Sequence, residues 1–429
     1  MNLTPHPSLL DALLLPTAQP LLTTTSSPHP TSNPLNLPNP PNLPNSSTPP
    51  NSSNPLSLKT LLAPYPPYID TELRTWLFKK YCFNPDAYTN FPKSLRTTLK
   101  KSFPSALPLH LTKTIHSTKD KTKKFLFKTQ DNQFIETVLI DNHSHKNTSQ
   151  PPLKKPTSLP PSTSSSPPST YTLCISSQIG CPLSCDFCAT GMMKFTRNLT
   201  PAEILAQYLL PAATYNIKIS HIVFMGMGEP LLNLKNVFAA LTHFTAPLPN
   251  GLALSARRIS ISTSGILNGI EKLTTFKANI RLSISLHSAL QHTRNIIMPD
   301  LKNVSLPTLK QTLIAYSRNK RAHPLLIEYI MIKNLNDDAT HLTALISFLK
   351  AFPCKVNLIA YNHVPTKPYQ PSPPERIRTF ASALIKAHIT TTQRFKKGDD
   401  IKAACGQLAI LPNPPLPTAP LITAQKKHA

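Results

Sequence analysis

The spacing of apolar and polar positions changes character along the chain. Leu73, Trp76 and Leu77 recur at i, i+3 and i+4, the spacing of one helix face, and Lys79-Lys80 follow. A second short helix opens at Phe91-Pro92 and closes at Lys100-Lys101. Residues 56–110 therefore read as a small basic helical module. Lys123–Thr129 and Gln133–Ile140 alternate with the period of strands around Asp131-Asn132, which predicts a β-hairpin. From residue 171 onward, apolar runs and helical stretches take turns. Tyr171–Ser176, Ser220–Met225, Arg258–Thr263, Ile280–Leu286, Leu325–Ile332 and Val356–Tyr361 read as strands. Pro201–Ala213, Asn236–Phe244, Leu306–Arg318 and Ala339–Ala351 read as helices between them. This alternation predicts the α/β class with a parallel sheet. About six such units are too few for a complete eight-unit barrel, so a partial, open (β/α) barrel is expected, its site at the C-terminal strand ends.

Two stretches break the pattern. Residues 1–55 are rich in Pro, Ser, Thr and Asn, with Asp11 as their one charged residue, and read as a disordered tail. Residues 143–170 are similar and read as a flexible linker. The expected organisation is a tail at 1–55, a helical module plus hairpin at 56–142, the linker at 143–170, a catalytic domain at 171–411 and a second tail at 412–429. The run Leu13-Leu14-Leu15 is too short and lacks the basic flank of a secretory signal. No apolar run reaches the length of a membrane span. A reducing, cytoplasmic setting is expected, with organelle targeting by the tail left open.

The formal charge of +26 over 429 residues suggests a polyanionic partner such as nucleic acid. Only 9 glycines and 19 acidic residues occur, however, and a G-poor coding strand would deplete both. The charge alone therefore carries about even weight as evidence for RNA binding. The same scarcity makes the glycines informative, because none precedes Gly180 or follows Gly406. Glycine is needed where φ is positive or the backbone is closely approached, so the working part of the chain lies between those limits.

Cys181, Cys185 and Cys188 follow the first predicted strand with Cys-x3-Cys-x2-Cys spacing. Three thiolates can hold three irons of a 4Fe-4S cube and leave the fourth iron open to a substrate amine and carboxylate. Zinc and a disulfide are the alternatives, but no second Cys-x2-Cys pair or histidine lies beside this loop. Later strands end in Gly226-Met-Gly228-Glu229-Pro230, Ser262-Thr263-Ser264-Gly265, Ser285-Leu286-His287 and Asn362. Singly these are turns or caps; together at one sheet end they make a ligand site. Cys82 and Cys354 sit in apolar surroundings and read as packing residues. Cys174 lies just before the cluster loop. Cys405 lies in Gly398-Asp399-Asp400 to Cys405-Gly406-Gln407-Leu408, a candidate nucleophile on a loop.

Taken together, these segments resemble the radical S-adenosylmethionine (SAM) RNA adenine methyltransferases of the RlmN and Cfr types. The resemblance runs from about residue 57 to 411, through Cys174–Gly191, Arg197–Thr200, Gly226–Asn233, Ser285–His287, Pro353–Ile359 and Gly398–Leu408. It implies one 4Fe-4S cluster on Cys181, Cys185 and Cys188, and SAM contacts at Gly228, Glu229, Ser262, Ser285, Leu286, His287 and Asn362. It implies that Cys405 takes a methyl group from one SAM. A second SAM is cleaved to a radical that activates this methyl for addition to the electron-poor C2 of adenine. Cys174 then forms a transient disulfide with Cys405, and Glu136 acts as proton acceptor. The implied partners are 23S rRNA, tRNA and an electron donor such as flavodoxin or ferredoxin, for a monomeric enzyme. The helical module, with Trp76-Leu-Phe-Lys-Lys, matches the family's RNA-binding accessory domain. Methylation at C8 of adenine, or RNA binding without catalysis, are the rival readings. Lys194 and His363 depart from the family pattern, which usually has glycine and proline there.

Overall fold

The apolar runs assemble into one twisted sheet. The computed structural model describes residues 7–14, 57–142, 170–320, 323–394 and 396–409. Among them the strands are β1 (Leu109–His116), β2 (Lys123–Thr129), β3 (Phe134–Asp141), β4 (Tyr171–Cys174), β5 (Gln178–Ile179), β6 (Arg197–Asn198), β7 (Ile219–Phe224), β8 (Ile259–Thr263), β9 (Arg281–Ser285), β10 (Leu325–Met331), β11 (Cys354–Ala360) and β12 (Thr390–Arg394). Ten of these form a single sheet in the order β1-β2-β3-β4-β7-β8-β9-β10-β11-β12, while β5 and β6 pair separately. From β4 to β12 every neighbour is parallel. The meander β1-β2-β3 joins antiparallel, with Val138 opposite Cys174. The sheet is open, with β1 and β12 at its edges, as expected of a partial barrel.

Helices between the parallel strands cover the sheet. Pro201–Tyr215 is the clearest case. Thr200 caps its first turn in a reciprocal capping box with Glu203, Pro201 occupies the first turn, and Asn216 ends it in the left-handed region. Its buried side chains face a core that includes Leu173, Ile222, Ile261, Ile284, Ile327 and Val356. Each of these leucine and isoleucine side chains is worth roughly 1.5–3 kcal/mol by removal from water.

The helical module is formed by Leu58–Leu62, Tyr68–Arg74 continuing into a π-turn at Thr75–Lys79, and Lys93–Ser102. Leu73 and Leu77 are fully buried. Trp76 is half-buried, stacks on Tyr88 at 5.2 Å and carries the Lys80 ammonium over its ring at 3.5 Å. Phe78 packs on His243 of the helix Leu234–Thr245, which fixes the module to the main domain.

Three expectations are corrected. Strand β1 begins at Leu109, so the helical stretch ends before 110 and the hairpin is a three-stranded meander. Strand β12, Thr-Thr-Thr-Gln-Arg, adds an edge the apolar pattern did not announce. Residues 9–14 form a helix instead of disordered tail; Leu9 and Leu10 are buried and their amides donate to Ser105 O and Ala106 O, each at 3.0 Å. The rest of the expected tail at 1–55, bar residues 7–8, lies outside the described residues. So do the linker at 143–170, apart from Thr170, and the tail at 412–429. Among the described residues no helix is long and apolar enough to cross a membrane.

Candidate active site

Parallel strands bring their C-terminal ends to one edge, and the loops there enclose a cleft of about 970 Å³, counting space open to solvent. Cys181, Cys185 and Cys188 all line it. Their loop is held from several sides. The Asp186 amide donates to Ile297 O at 2.9 Å, the Ser184 amide to the Asp300 carboxylate, and the Asp186 carboxylate takes Lys367 and Tyr369. After the loop, Arg197 forks between Asp131 and Glu203, at 2.7 and 2.8 Å.

The donor set fits an iron–sulfur cluster. Burial pushes the Cys181 thiol up to about 12 and Cys185 well above the usual thiol value, and the neighbouring cysteines add to both shifts. Three thiolates this close are unfavourable without a cation between them, which irons would supply. Among the described residues no three His, Cys, Asp or Glu side chains converge as ligands of one metal ion. Thiolates on three separate irons need not converge so closely.

The opposite wall carries Glu229. Its carboxylate accepts from Leu231 N at 3.1 Å and Ser264 N at 2.8 Å, and burial raises its pKa against those bonds. Gly228 has φ +92°, and a Cβ there would lie 2.5 Å from Gln178 Cβ; a Cβ on Gly226 would meet Ile175 at 2.7 Å. These glycines thus admit the neighbouring β4–β5 chain as well as bordering the cleft. The Ser262 and Ser285 hydroxyls lie 3.4 Å apart, and both line the cleft. His287 Nδ1 accepts from Ile330 N at 3.1 Å, and burial followed by the nearby Arg294 charge pushes its pKa down to about 3. The ring is neutral, and its proton sits on Nε2 as a donor. Leu286 is in the core and its side chain does not line the cleft.

Cys405 is exposed, yet protein surrounds it enough for desolvation to raise its thiol pKa, with the Arg394 charge acting the other way. It lines the cluster cleft and also a second cleft bordered by Asn142, Asn362, Gln393, Arg394 and Lys396. Asn362, expected among the SAM contacts, stands on this second cleft; its Nδ2 donates to Cys405 O at 2.9 Å while its buried Oδ1 has no partner. Cys174 is buried at the end of β4, its pKa pushed up to about 12 by burial and next by the charge of Cys405. Both are free thiols.

The Cys405 loop is tethered along its length. Asp400 accepts from Ser117 Oγ at 2.8 Å and Thr118 N at 3.0 Å, and Asp120 from Gly398 N at 2.8 Å. Gly406 O accepts from Ala189 N at 2.7 Å, beside the third cluster cysteine. Glu136 belongs to this tether. It pairs with Lys124 at 2.9 Å, both side chains under a tenth exposed, and its Oε2 accepts from Ala409 N at 3.1 Å. It lines neither cleft, so the structure does not bring this expected proton acceptor to the chemistry.

Sequence reasoning missed Glu328 and Arg394. Glu328 lies on β10, buried in the cleft wall, accepting from Ser283 and Asn357 at 3.2 Å with Oε2 unpartnered. Arg394, at the end of β12, lines both clefts, and its charge acts on Cys405, Glu328 and Cys174. A lone carboxylate inside the apolar run Leu325–Met331 was the available signal for Glu328; Arg394 had none.

Residues 175–344 match the family model of the radical SAM superfamily. The chain is 38% identical over 355 residues to "Probable dual-specificity RNA methyltransferase RlmN" of Akkermansia muciniphila, covering 82% of this chain and 93% of that protein. It is 35% identical over 346 residues to "Dual-specificity RNA methyltransferase RlmN" of Nitratiruptor, covering 80% and 93%. Among solved structures, a radical SAM methyltransferase from Sphaerobacter thermophilus matches with TM-score 0.72 and 31% identity, covering 83% of this chain and 97% of that one.

Proposed function

The chain belongs to the RlmN family of radical SAM methyltransferases, and on that footing we propose that it methylates C2 of adenosine in 23S rRNA and in tRNA, with Cys405 as the carrier of the methyl group. The observation that carries this reading is the position of Cys405, which lines both the cleft of the three cysteines and the second, basic cleft. A group on its sulfur is thus within reach of a cofactor on one side and a base on the other.

Cys181, Cys185 and Cys188 would hold the cluster, and Glu229, Ser262, Ser285 and His287 would hold SAM. The buried Glu229 carboxylate suits an ammonium group, and the two hydroxyls and the His287 Nε2–H suit a carboxylate or ribose. The cluster supplies, when bound, the electron that cleaves SAM to a 5′-deoxyadenosyl radical able to take hydrogen from a methyl thioether. The chain's own residues do the rest. The Cys405 sulfur attacks the methyl carbon of one SAM and displaces S-adenosylhomocysteine, forming an S–CH3 bond, and Arg394 favours the thiolate that attacks. Once activated, the carbon on Cys405 bonds to C2, a centre too electron-poor to attack SAM itself; the adduct then loses one electron, which the bound cluster would accept, and the C2 proton, which passes to a base at the site or to water. The Cys174 thiolate then attacks the Cys405 sulfur, an S–S bond forming as the S–CH2 bond breaks, and the freed carbon takes a proton to become the methyl group of the released base. Lys396 and the helical module offer cationic and aromatic groups to RNA backbone and bases.

The test is nucleoside analysis of RNA treated with the reduced enzyme and SAM, with Cys405→Ala beside it. The wild type yields 2-methyladenosine and the variant none. Finding only 8-methyladenosine sinks the C2 assignment, and equal product from the variant sinks the carrier.

A further inference from the structure

Arg294 is the largest fully buried side chain of the described residues. It sits on the helix Gln291–Ile297, and its Nη2 donates to Ser264 O at 2.6 Å. Its Nε and Nη1 are buried without any hydrogen-bond partner. Among the described residues no carboxylate pairs with it. A buried charge left without its counter-ion is strongly destabilising, and a buried guanidinium normally shares its N–H groups among acceptors. The position of Arg294 therefore needs an anion.

The helix that carries it is docked on the cluster loop. Asp186 N donates to Ile297 O at 2.9 Å, and Ser184 N donates to the carboxylate of Asp300, just beyond the helix. These two bonds bracket Cys185. The acidic groups nearby are already engaged: Glu229 with Leu231 and Ser264, Asp186 with Lys367 and Tyr369. Arg294 does not line the cleft, so it would act on a group held there as a charge behind the cluster loop and not by direct contact.

We propose that Arg294 is the buried counter-charge of the iron–sulfur cluster, a positioning residue that raises its reduction potential. The inference rests on Cys181, Cys185 and Cys188 holding that cluster. A 4Fe-4S cube on three thiolates is net anionic, and one-electron reduction adds a further negative charge. A fixed cation in a dry site stabilises the reduced form more than the oxidised one, and net charge and burial are the levers that set such potentials.

The test is an EPR-monitored redox titration, without SAM, of anaerobically reconstituted wild type, Arg294→Met and Arg294→Lys. The expected result is a lower midpoint potential for the methionine variant and a smaller shift for the lysine variant, with SAM affinity within about twofold of wild type. Arg294→Gln gives the same neutral comparison should the methionine variant fail to fold. Equal potentials in wild type and a neutral variant overturn the inference while leaving the cluster assignment standing. An unchanged potential with SAM affinity lost also overturns it, assigning the guanidinium to the SAM carboxylate. A wild type that binds no cluster overturns both.

Discussion

Replacing Lys124 with methionine keeps most of the side-chain volume and removes one charge from the buried pair with Glu136. At 2.9 Å and an effective dielectric near 20, the attraction is about 6 kcal/mol, much of it offset by dehydrating both groups. Deleting one partner leaves the other charge uncompensated, which costs about 3–5 kcal/mol at neutral pH. The loss depends on pH in a defined direction. Burial already raises the Glu136 carboxyl above its ordinary 4.5, and Lys124 acts against that rise. A carboxyl whose folded pKa is raised contributes most below its unfolded pKa, and that contribution is lost as pH rises through the folded pKa. Without Lys124 the folded pKa rises further, so the variant's deficit opens as pH passes the wild type's raised folded pKa and grows until it passes the variant's. Urea denaturation of both proteins at about pH 5 and about pH 8 measures it. The deficit should be small in acid and reach several kcal/mol at the higher pH. An equal deficit at both, or one below about 1 kcal/mol at the higher pH, refutes the buried-pair account.

Asp400→Ala removes the acceptor for Ser117 Oγ and Thr118 N at an exposed site, so stability should fall by about 1–2 kcal/mol, while hydrogen exchange quickens at residues 396–409 and methylation drops. Gly228→Ala places a Cβ 2.5 Å from Gln178 Cβ at φ +92°, and should destabilise by at least about 2 kcal/mol and weaken SAM binding by calorimetry. Glu229→Gln cannot accept from both Leu231 N and Ser264 N, and should reduce SAM affinity about tenfold or more in the same assay.

The α/β alternation was legible because buried parallel strands are apolar runs, and all six predicted strands agree with β4 and β7 to β11 within two residues at either end. Strand β12 was not, because Thr390–Arg394 is an exposed edge with no apolar residue to give it a period. The helix at 9–14 was hidden for a different reason: its three buried leucines find their partners around Ser105 and the helix Pro201–Tyr215, far along the chain. At the site, the thiols declare themselves by spacing, whereas Glu328, Arg394 and Arg294 acquire meaning only when folding buries their charges around the cleft and the cluster loop. Glu136 shows the converse. A sequence match names it, but its placement against Lys124 and Ala409 makes it part of the tether for the Cys405 loop.

The central claim is that Cys405 carries the methyl group from one cleft to the other. It is tested most directly with SAM labelled in its methyl group, given to the reduced enzyme before any RNA. Peptide mass spectrometry should find the label on Cys405, and adding RNA with excess unlabelled SAM should move that label into adenosine in the first turnover. Label that reaches RNA without ever residing on Cys405, or first-turnover product carrying only unlabelled methyl, would contradict the account.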